Sequence, residues 1–146
     1  MAKKTSNGII DMMQEWFDKA PALPKNAREA IVRITPVLAI IFGVLGLLGS
    51  LAGLGFLTAF APFAFLGGVN GYGSGFIAAL FWLVSSVLLI AAFPGVRARK
   101  INGWNMIFWS ELVSFAGSII SLSIVSGIIG ALIAFYLLFQ IKSYYK

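Results

Sequence analysis

The stretch PVLAIIFGVLGLLGSLAGLGFL, residues 36–57, contains no charged side chain and a single polar one, Ser50. About 20 predominantly apolar residues cross the hydrocarbon core of a bilayer as an α-helix, so this stretch predicts a transmembrane helix. Residues 1–33 form a polar lead that is longer than the corresponding part of a secretory signal peptide. The first span is therefore expected to be an uncleaved anchor.

Two apolar regions, residues 34–93 and 104–141, are each too long for a single span. The glycine-rich segment GGVNGYGSG (67–75) divides the first region, where we expect a turn, and SLSIVSG (121–127) divides the second. This division predicts four spans, near residues 36–57, 75–93, 103–121 and 124–141. It leaves open whether the outer connection, residues 57–75, re-enters the bilayer.

The expected fold is all-α: an integral membrane protein whose four-helix transmembrane domain, residues 34–146, follows a cytoplasmic amphipathic lead and linker, residues 1–33. All eleven Lys and Arg residues precede the first span, lie between residues 97 and 100, or follow the fourth span. With four spans, these three basic segments share one side of the membrane, which the positive-inside rule makes cytoplasmic. Both termini are then inside, where contact with anionic lipid is expected.

The composition lacks the residue types that most enzymes use for catalysis. Only 11% of the residues are charged, against about 25% in soluble domains. The chain has no Cys and no His, and its carboxylates number five. Thiolate nucleophiles, the commonest metal ligand and the usual acid–base group of neutral pH are therefore missing. We expect no enzyme, metal site or cofactor, and no nucleic-acid partner.

The lead segment SNGIIDMMQEWFDKAPALP, residues 6–24, has the pattern of an amphipathic helix. Its apolar residues recur at helical spacing: Ile9, Ile10, Met13, Trp16, Phe17 and Ala20. We expect this helix to lie flat in the cytoplasmic interface with Trp16 and Phe17 inserted. The alternative is a helix docked on a partner or across the inner mouth of the bundle. Trp104, Tyr144 and Tyr145 are predicted as further interfacial anchors.

Small residues follow helical spacing in two of the predicted spans, where they let helix backbones approach closely. The first stripe comprises Ala39, Gly43, Gly46, Ser50 and Gly53, and the second comprises Ser126, Gly130 and Ala134. Packing inside the monomer is the simpler interpretation of both stripes. The other is a seam between copies in a homo-oligomer.

Glu111 is the one carboxylate inside a predicted span, about 10 Å from Trp104 along the helix axis at 1.5 Å per residue. Ser114, Ser118 and Ser121 share its helical face, which should point into the bundle or a wet cavity because unsatisfied polar groups are costly in hydrocarbon. These four residues are the candidate site for proton coupling or transport.

A structural role for Glu111 is the competing interpretation. A protonated carboxyl could donate a hydrogen bond to Ser85 or Ser86 of the second span, or an ionised one could reach the basic residues at 97–100 through water. The leading hypothesis is thus a non-enzymatic assembly or interaction component, in contact with a membrane-protein partner or forming a homo-oligomer. The alternative is a small proton-coupled transporter or permeation pathway that uses Glu111. A compact, Cys-free, multi-pass chain suits a bacterial cytoplasmic membrane.

Overall fold

The computed structural model describes residues 4–63, 66 and 69–146. Within them every regular element is helical, and no strand occurs. The five α-helices are α1 (Lys4–Phe17), α2 (Lys25–Ala59), α3 (Val69–Arg97), α4 (Ile101–Ile120) and α5 (Ile124–Ile141), with short 3-10 turns at Ala61–Phe63 and Lys142–Tyr144. The prediction of an all-α chain is confirmed.

Three helices in the described part of the chain are long and apolar enough to cross a membrane: α2, residues Tyr72–Arg97 of α3, and Ile124–Tyr144, which includes α5. They correspond to the predicted first, second and fourth spans. The 20-residue helix α4 has a sufficient length, but Asn102, Asn105 and Glu111 make it less apolar. The third span stays a prediction.

The two longest helices extend beyond the predicted spans. Helix α2 begins at Lys25 and continues through Pro36, so it crosses the domain boundary predicted between residues 33 and 34. Proline removes one backbone donor from the helix. In the same turn the Thr35 hydroxyl donates to the Ile31 carbonyl oxygen at 2.6 Å. The end of the polar lead and the first apolar segment therefore form one continuous helix.

The turn predicted at residues 67–75 is wrong, because α3 already begins at Val69. The Tyr72 hydroxyl donates to the Leu57 carbonyl oxygen at 2.9 Å, which gives a hydrogen-bond partner to a carbonyl near the end of α2. This bond ties the first turns of α3 to α2. Residues 64, 65, 67 and 68 of the outer connection lie outside the described residues.

Helix α3 packs along both α2 and α4, α4 packs less extensively on α5, and α2 and α5 touch only sparsely. The buried apolar residues gather at one end of this bundle, which we call the closed end. They are Ile10, Val32, Ala39, Ala92, Val96, Trp104, Ile107, Phe108, Phe135, Leu138, Phe139, Ile141 and Tyr145. The closed end therefore holds the last turns of α3 and α5 and the first turns of α4.

Trp104 lies at the centre of the closed end and is fully buried. Its indole Nε1 donates to the Leu138 carbonyl oxygen at 2.9 Å. Its ring stacks on Phe108, with centroids 5.6 Å apart, and meets the edge of Phe139 at 5.5 Å. Trp104 joins α4 to α5 from within, whereas an interfacial anchor would face the lipid.

The turn between α3 and α4 brings two backbones into direct contact. A Cβ added to Gly95 would lie 2.8 Å from the Gly103 Cα, and one added to Gly103 would meet the backbone of Val96 and Gly95. Only glycine permits this approach. The chain terminus closes the same turn: the Lys146 amide donates to the Arg99 carbonyl oxygen at 3.0 Å, and the Ile101 amide donates to the Lys146 carbonyl oxygen at 2.9 Å.

The opposite end of the bundle, which we call the open end, contains the turn between α4 and α5. Leu122 and Val125 are 80% and 74% exposed there. A Cβ added to Gly130 would meet nothing within 4 Å. Since α2 and α5 touch only sparsely, a groove runs between them from the closed end, at Ile31 and Ile141, to the middle of the bundle, at Phe42 and Gly130.

Candidate functional site

Glu111 lies midway along α4, half-buried, where three cavities of about 390, 370 and 500 Å³ meet. Among the described residues, no hydrogen bond or ion pair reaches its carboxylate. Glu111 therefore lies at the junction of open spaces, and no side chain of the described part holds its carboxylate in place.

The first cavity is the groove between α2 and α5, and its walls are largely apolar. Leu38 and Phe42 line it from α2, and Ile133 and Leu137 line it from α5. Glu111 is its one charged lining residue. A carboxylate beside such walls is costly unless water, an incoming polar group or a proton satisfies it.

The second cavity is rich in hydroxyl groups and lies towards the open end. Glu111, Ser114 and Ser118 line it together, so the structure brings together three of the four residues of the predicted polar stripe. Ser121 does not line this cavity. Ser123 of the α4–α5 turn and Ser126 of α5 do. The sequence reasoning missed their proximity to Glu111 because spacing within one helix cannot show what a later helix contributes.

These serine hydroxyls do not reach across the cavity. The Ser118 hydroxyl donates to the Ser114 carbonyl oxygen, and the Ser121 hydroxyl donates to the Ser118 carbonyl oxygen, both at 3.1 Å. Such bonds to the preceding turn satisfy a hydroxyl within its own helix. The oxygens keep acceptor capacity towards the cavity, since a hydroxyl oxygen has two lone pairs.

The third cavity is lined by Ser85 and Ser86 of α3 as well as by Glu111. Neither hydroxyl bonds to the carboxylate. Ser85 pairs with Ser110: the two hydroxyl oxygens are 2.8 Å apart, and each also lies within 3.0 Å of the partner's carbonyl oxygen. Ser86 donates to the Trp82 carbonyl oxygen at 2.7 Å. The predicted hydrogen bond from Glu111 to one of these serines is absent among the described residues.

The first small-residue stripe faces α3. A Cβ added to Gly43 would lie 2.7 Å from the Ile90 Cγ1, and one added to Gly46 would meet the Ser86 hydroxyl. Ala39 and Ser50 are both only 4% exposed. Gly53, beyond them, faces open space. Gly43 and Gly46 thus let α2 and α3 approach closely within the monomer.

The second stripe has a different environment. Ser126 and Gly130 are exposed and Ala134 is half-buried, and all three line the hydroxyl-rich cavity. Contact between α5 and α4 uses Gly127 instead, where an added Cβ would lie 2.7 Å from the Ser118 Cβ. The second stripe forms a wall of the Glu111 site and leaves a close approach open to another molecule.

Helix α1 docks on the closed end. Phe17 stacks on Phe139 with ring centroids 5.3 Å apart, Ile10 is buried in the core, and the Lys142 ammonium donates to the Gln14 side-chain carbonyl. Trp16, by contrast, is 74% exposed. The two side chains predicted to insert together into the interface therefore point in different directions.

The linker after α1 is held against α5. The Tyr136 hydroxyl donates to the Pro21 carbonyl oxygen at 2.6 Å, and the Leu23 amide donates to the Gln140 side-chain carbonyl at 3.2 Å. Near the chain terminus, Tyr145 is buried and Tyr144 is half-buried. The lead is thus attached to the last helix at several points.

The described residues contain no group of three or more carboxylates that could hold a metal ion. No family model, curated protein or solved structure matches this chain. Two features of the structure bear on function. They are the cavities around Glu111 and the exposed face of the docked helix α1.

Proposed function

We propose that this protein is a four-span membrane protein with both termini in the cytoplasm, in a bacterial cytoplasmic membrane. The position of α4 supports four spans, because this 20-residue helix packs lengthwise between α3 and α5. The eleven basic residues support the orientation, because with four spans they all fall on the side of the closed end.

The absence of cysteine from the sequence permits a direct test of this topology. Single-cysteine variants Lys100→Cys, Ser123→Cys and Lys146→Cys place one thiol at exposed positions of the closed or open end. With a membrane-impermeant maleimide and intact cells stripped of their outer membrane, we expect Ser123→Cys to react and the other two to react only after lysis. Reaction of Lys100→Cys in intact cells would overturn the proposed orientation.

The proposed activity is that of a non-enzymatic assembly component, with α1 as its contact with a membrane-protein partner. The observation that carries this proposal is the exposed apolar strip that α1 retains after docking. Ile9, Met12 and Trp16 are 42%, 59% and 74% exposed. They follow helical steps of three and four and so share one face. An amphipathic helix with one face docked and a second apolar face exposed suits recognition by a partner.

A photo-crosslinking amino acid at Met12 tests this contact in native membranes, and the same probe at exposed Glu15 is the matched control. We expect a discrete protein adduct from position 12 and none from position 15. The adduct should survive Glu111→Gln and disappear with Trp16→Ser. Adducts with lipid alone at position 12 would show that the strip contacts the interface and would overturn the partner proposal.

A second candidate function is proton-coupled permeation. It is favoured by Glu111, which lies at the meeting point of three cavities and has no hydrogen-bond or ion-pair partner among the described residues. The purified protein in liposomes with an internal pH dye would then pass protons down an imposed gradient. We expect Glu111→Gln to abolish this flux and Glu29→Gln, which removes a carboxylate near the closed end, to retain it. Equal flux in both variants and in empty liposomes would exclude this candidate.

A further inference from the structure

A groove of about 770 Å³ at the closed end is separate from the Glu111 cavities. Arg33 of α2 and Arg99 of the α3–α4 turn both line it, together with Asn26, Glu29 and Tyr144. Both arginines are exposed. No ion pair engages either guanidinium within the part of the chain that the structure describes. Two guanidinium groups and one carboxylate line this concave surface, so its net charge is positive and suits an anion.

The backbone of Arg99 is fixed at this groove. Its φ angle is 53°, a conformation that costs free energy for a residue with a Cβ. Its amide donates to the Val96 carbonyl oxygen and its carbonyl accepts from the Lys146 amide, both at 3.0 Å. The chain terminus that makes this second bond also brings Tyr144 to the groove. The position of Arg99 is therefore specified by long-range contacts.

The groove joins a charged surface to an apolar one. Arg33 is the last charged residue before the apolar region, and Ile34 lines the groove beside it. Ile34 and Leu38 are 49% and 41% exposed and lie one helical turn apart on α2. A ligand with an anionic head and a hydrocarbon tail would contact both the charged and the apolar surface. A free inorganic ion would contact only the charged one.

We propose that this groove binds the phosphodiester headgroup of an anionic phospholipid. Arg33 and Arg99 donate to the phosphate oxygens, and an acyl chain lies along Ile34 and Leu38. The carboxylate of Glu29 at the same groove disfavours a second negative charge on the phosphate. A singly charged phosphodiester therefore fits better than a doubly charged phosphomonoester. That the lipid belongs to the cytoplasmic leaflet rests on the topology proposed above.

Lipid retention measured by native mass spectrometry tests this site, with the full-length protein in micelles that contain phosphatidylglycerol or phosphatidylcholine. The test variant is Arg33→Gln with Arg99→Gln. The control, Arg97→Gln with Lys100→Gln, removes the same charge from two exposed residues of the same end that do not line the groove. Basic residues near a surface attract anionic lipid generally, so the comparison between these two variants isolates the specific site.

We expect the wild type and the control to retain one phosphatidylglycerol in preference to phosphatidylcholine. The test variant should bind it about tenfold more weakly than the control does, since charge-assisted bidentate bonds exceed diffuse attraction. Equal losses in the two variants would overturn the proposal. Displacement of the lipid by millimolar inorganic phosphate would also overturn it, because a free phosphate site would then be the better description.

Circular dichroism of both variants keeps this experiment interpretable, since a variant that unfolds loses helical signal as well as lipid. The outcome is also independent of the proposed topology. If cysteine labelling places the closed end outside while Arg33→Gln with Arg99→Gln selectively loses lipid, the site stands and the orientation fails. If labelling places the closed end inside while both variants lose lipid equally, the orientation stands and the lipid site fails.

Discussion

The closed and open ends of this bundle are built from different kinds of residue. At the closed end, Trp104, Phe108 and Phe139 interlock with ring centroids less than 6 Å apart. At the open end, Leu122, Val125 and Ile129 are more than half exposed. Large rings fill the space between the helices at the closed end, whereas the exposed side chains at the open end leave space to lipid, water or another protein chain.

This difference shows where the fold is specified and where function can reside. Inside lipid, apolar side chains gain little by leaving the bilayer for the protein interior, so close packing and hydrogen bonds must provide the association energy. The closed end supplies both kinds of interaction. Between α2 and α5 the described residues supply little of either, and the Glu111 cavities lie beside that gap. Perturbing each end with matched substitutions should therefore give very different effects.

The largest difference is expected between two glycines. Gly103→Ala forces a Cβ against the backbone of Gly95 and Val96, and neither backbone can move without breaking the α3–α4 turn. We expect a loss of about 5 kcal/mol or more in the free energy of unfolding, measured by thermal or denaturant unfolding in detergent.

Gly130→Ala at the open end is the matched control, since its added methyl would meet nothing within 4 Å. Its unfolding should change by about 1 kcal/mol or less, towards stability if anything, because alanine is the better helix former. Comparable destabilisation by the two substitutions would mean that α5 packs against another part of the molecule at Gly130.

The next effect compares two tryptophans. Trp104→Ala removes a fully buried indole and its hydrogen bond to the Leu138 carbonyl, so we expect about 3–5 kcal/mol of destabilisation. Trp16→Ala removes a side chain that is 74% exposed and should change the unfolding free energy by less than about 0.5 kcal/mol. A large effect of Trp16→Ala in the purified protein would show that α1 buries its other face.

A smaller effect concerns the docking of α1. Phe17→Ser removes the stacking contact with Phe139, which is worth about 1 kcal/mol beyond simple burial. Amide hydrogen exchange in α1 should become several-fold to about tenfold faster as the helix leaves the bundle more often. Trp16→Ser should leave that exchange unchanged. If Trp16→Ser gives the same acceleration, then α1 docks by its other face.

The smallest effect is the coupling between Ser85 and Ser110, the reciprocal hydrogen-bonded pair that joins α3 to α4. A double-mutant cycle with Ser85→Ala and Ser110→Ala should give a coupling free energy of about 0.6–1.7 kcal/mol, the range found between membrane helices. The same cycle with Ser110 and Ser126, which belong to different regions, should give coupling near zero. Coupling of equal size in both cycles would argue against a local bond.

Much of the helical architecture can be predicted from composition and local pattern. The boundaries of α5 coincide with the predicted fourth span, residues 124–141, because the long charge-free apolar run and its serine-rich start mark both ends. The first span is predicted to end near residue 57, two residues before the end of α2, but the turn predicted at residues 67–75 is wrong because α3 begins at Val69. GYGSG is typical of turns in isolation, whereas the bond from Tyr72 to the Leu57 carbonyl holds the same residues in α3.

The surroundings of individual side chains could be predicted less well. Helical periodicity placed Glu111, Ser114 and Ser118 on one face, and they do line one cavity. It could not show that α5 would add Ser126 to that cavity, because spacing within one helix contains no information about its neighbours. For the same reason the sequence predicts one environment, the membrane interface, for both Trp16 and Phe17, which are about 100° apart on the same helix. In the structure Trp16 is exposed, whereas Phe17 packs against the core.

The sequence alone predicts an all-helical chain with four spans, since length and local hydrophobicity decide whether a segment can cross a membrane. In the described part of the chain, three helices are long and apolar enough to do so. Only the tertiary structure decided that Trp104 lies inside the bundle, that Gly95 meets Gly103, and that Glu111 faces an opening between α2 and α5. Those features depend on contacts between residues far apart in the chain, which no local pattern encodes.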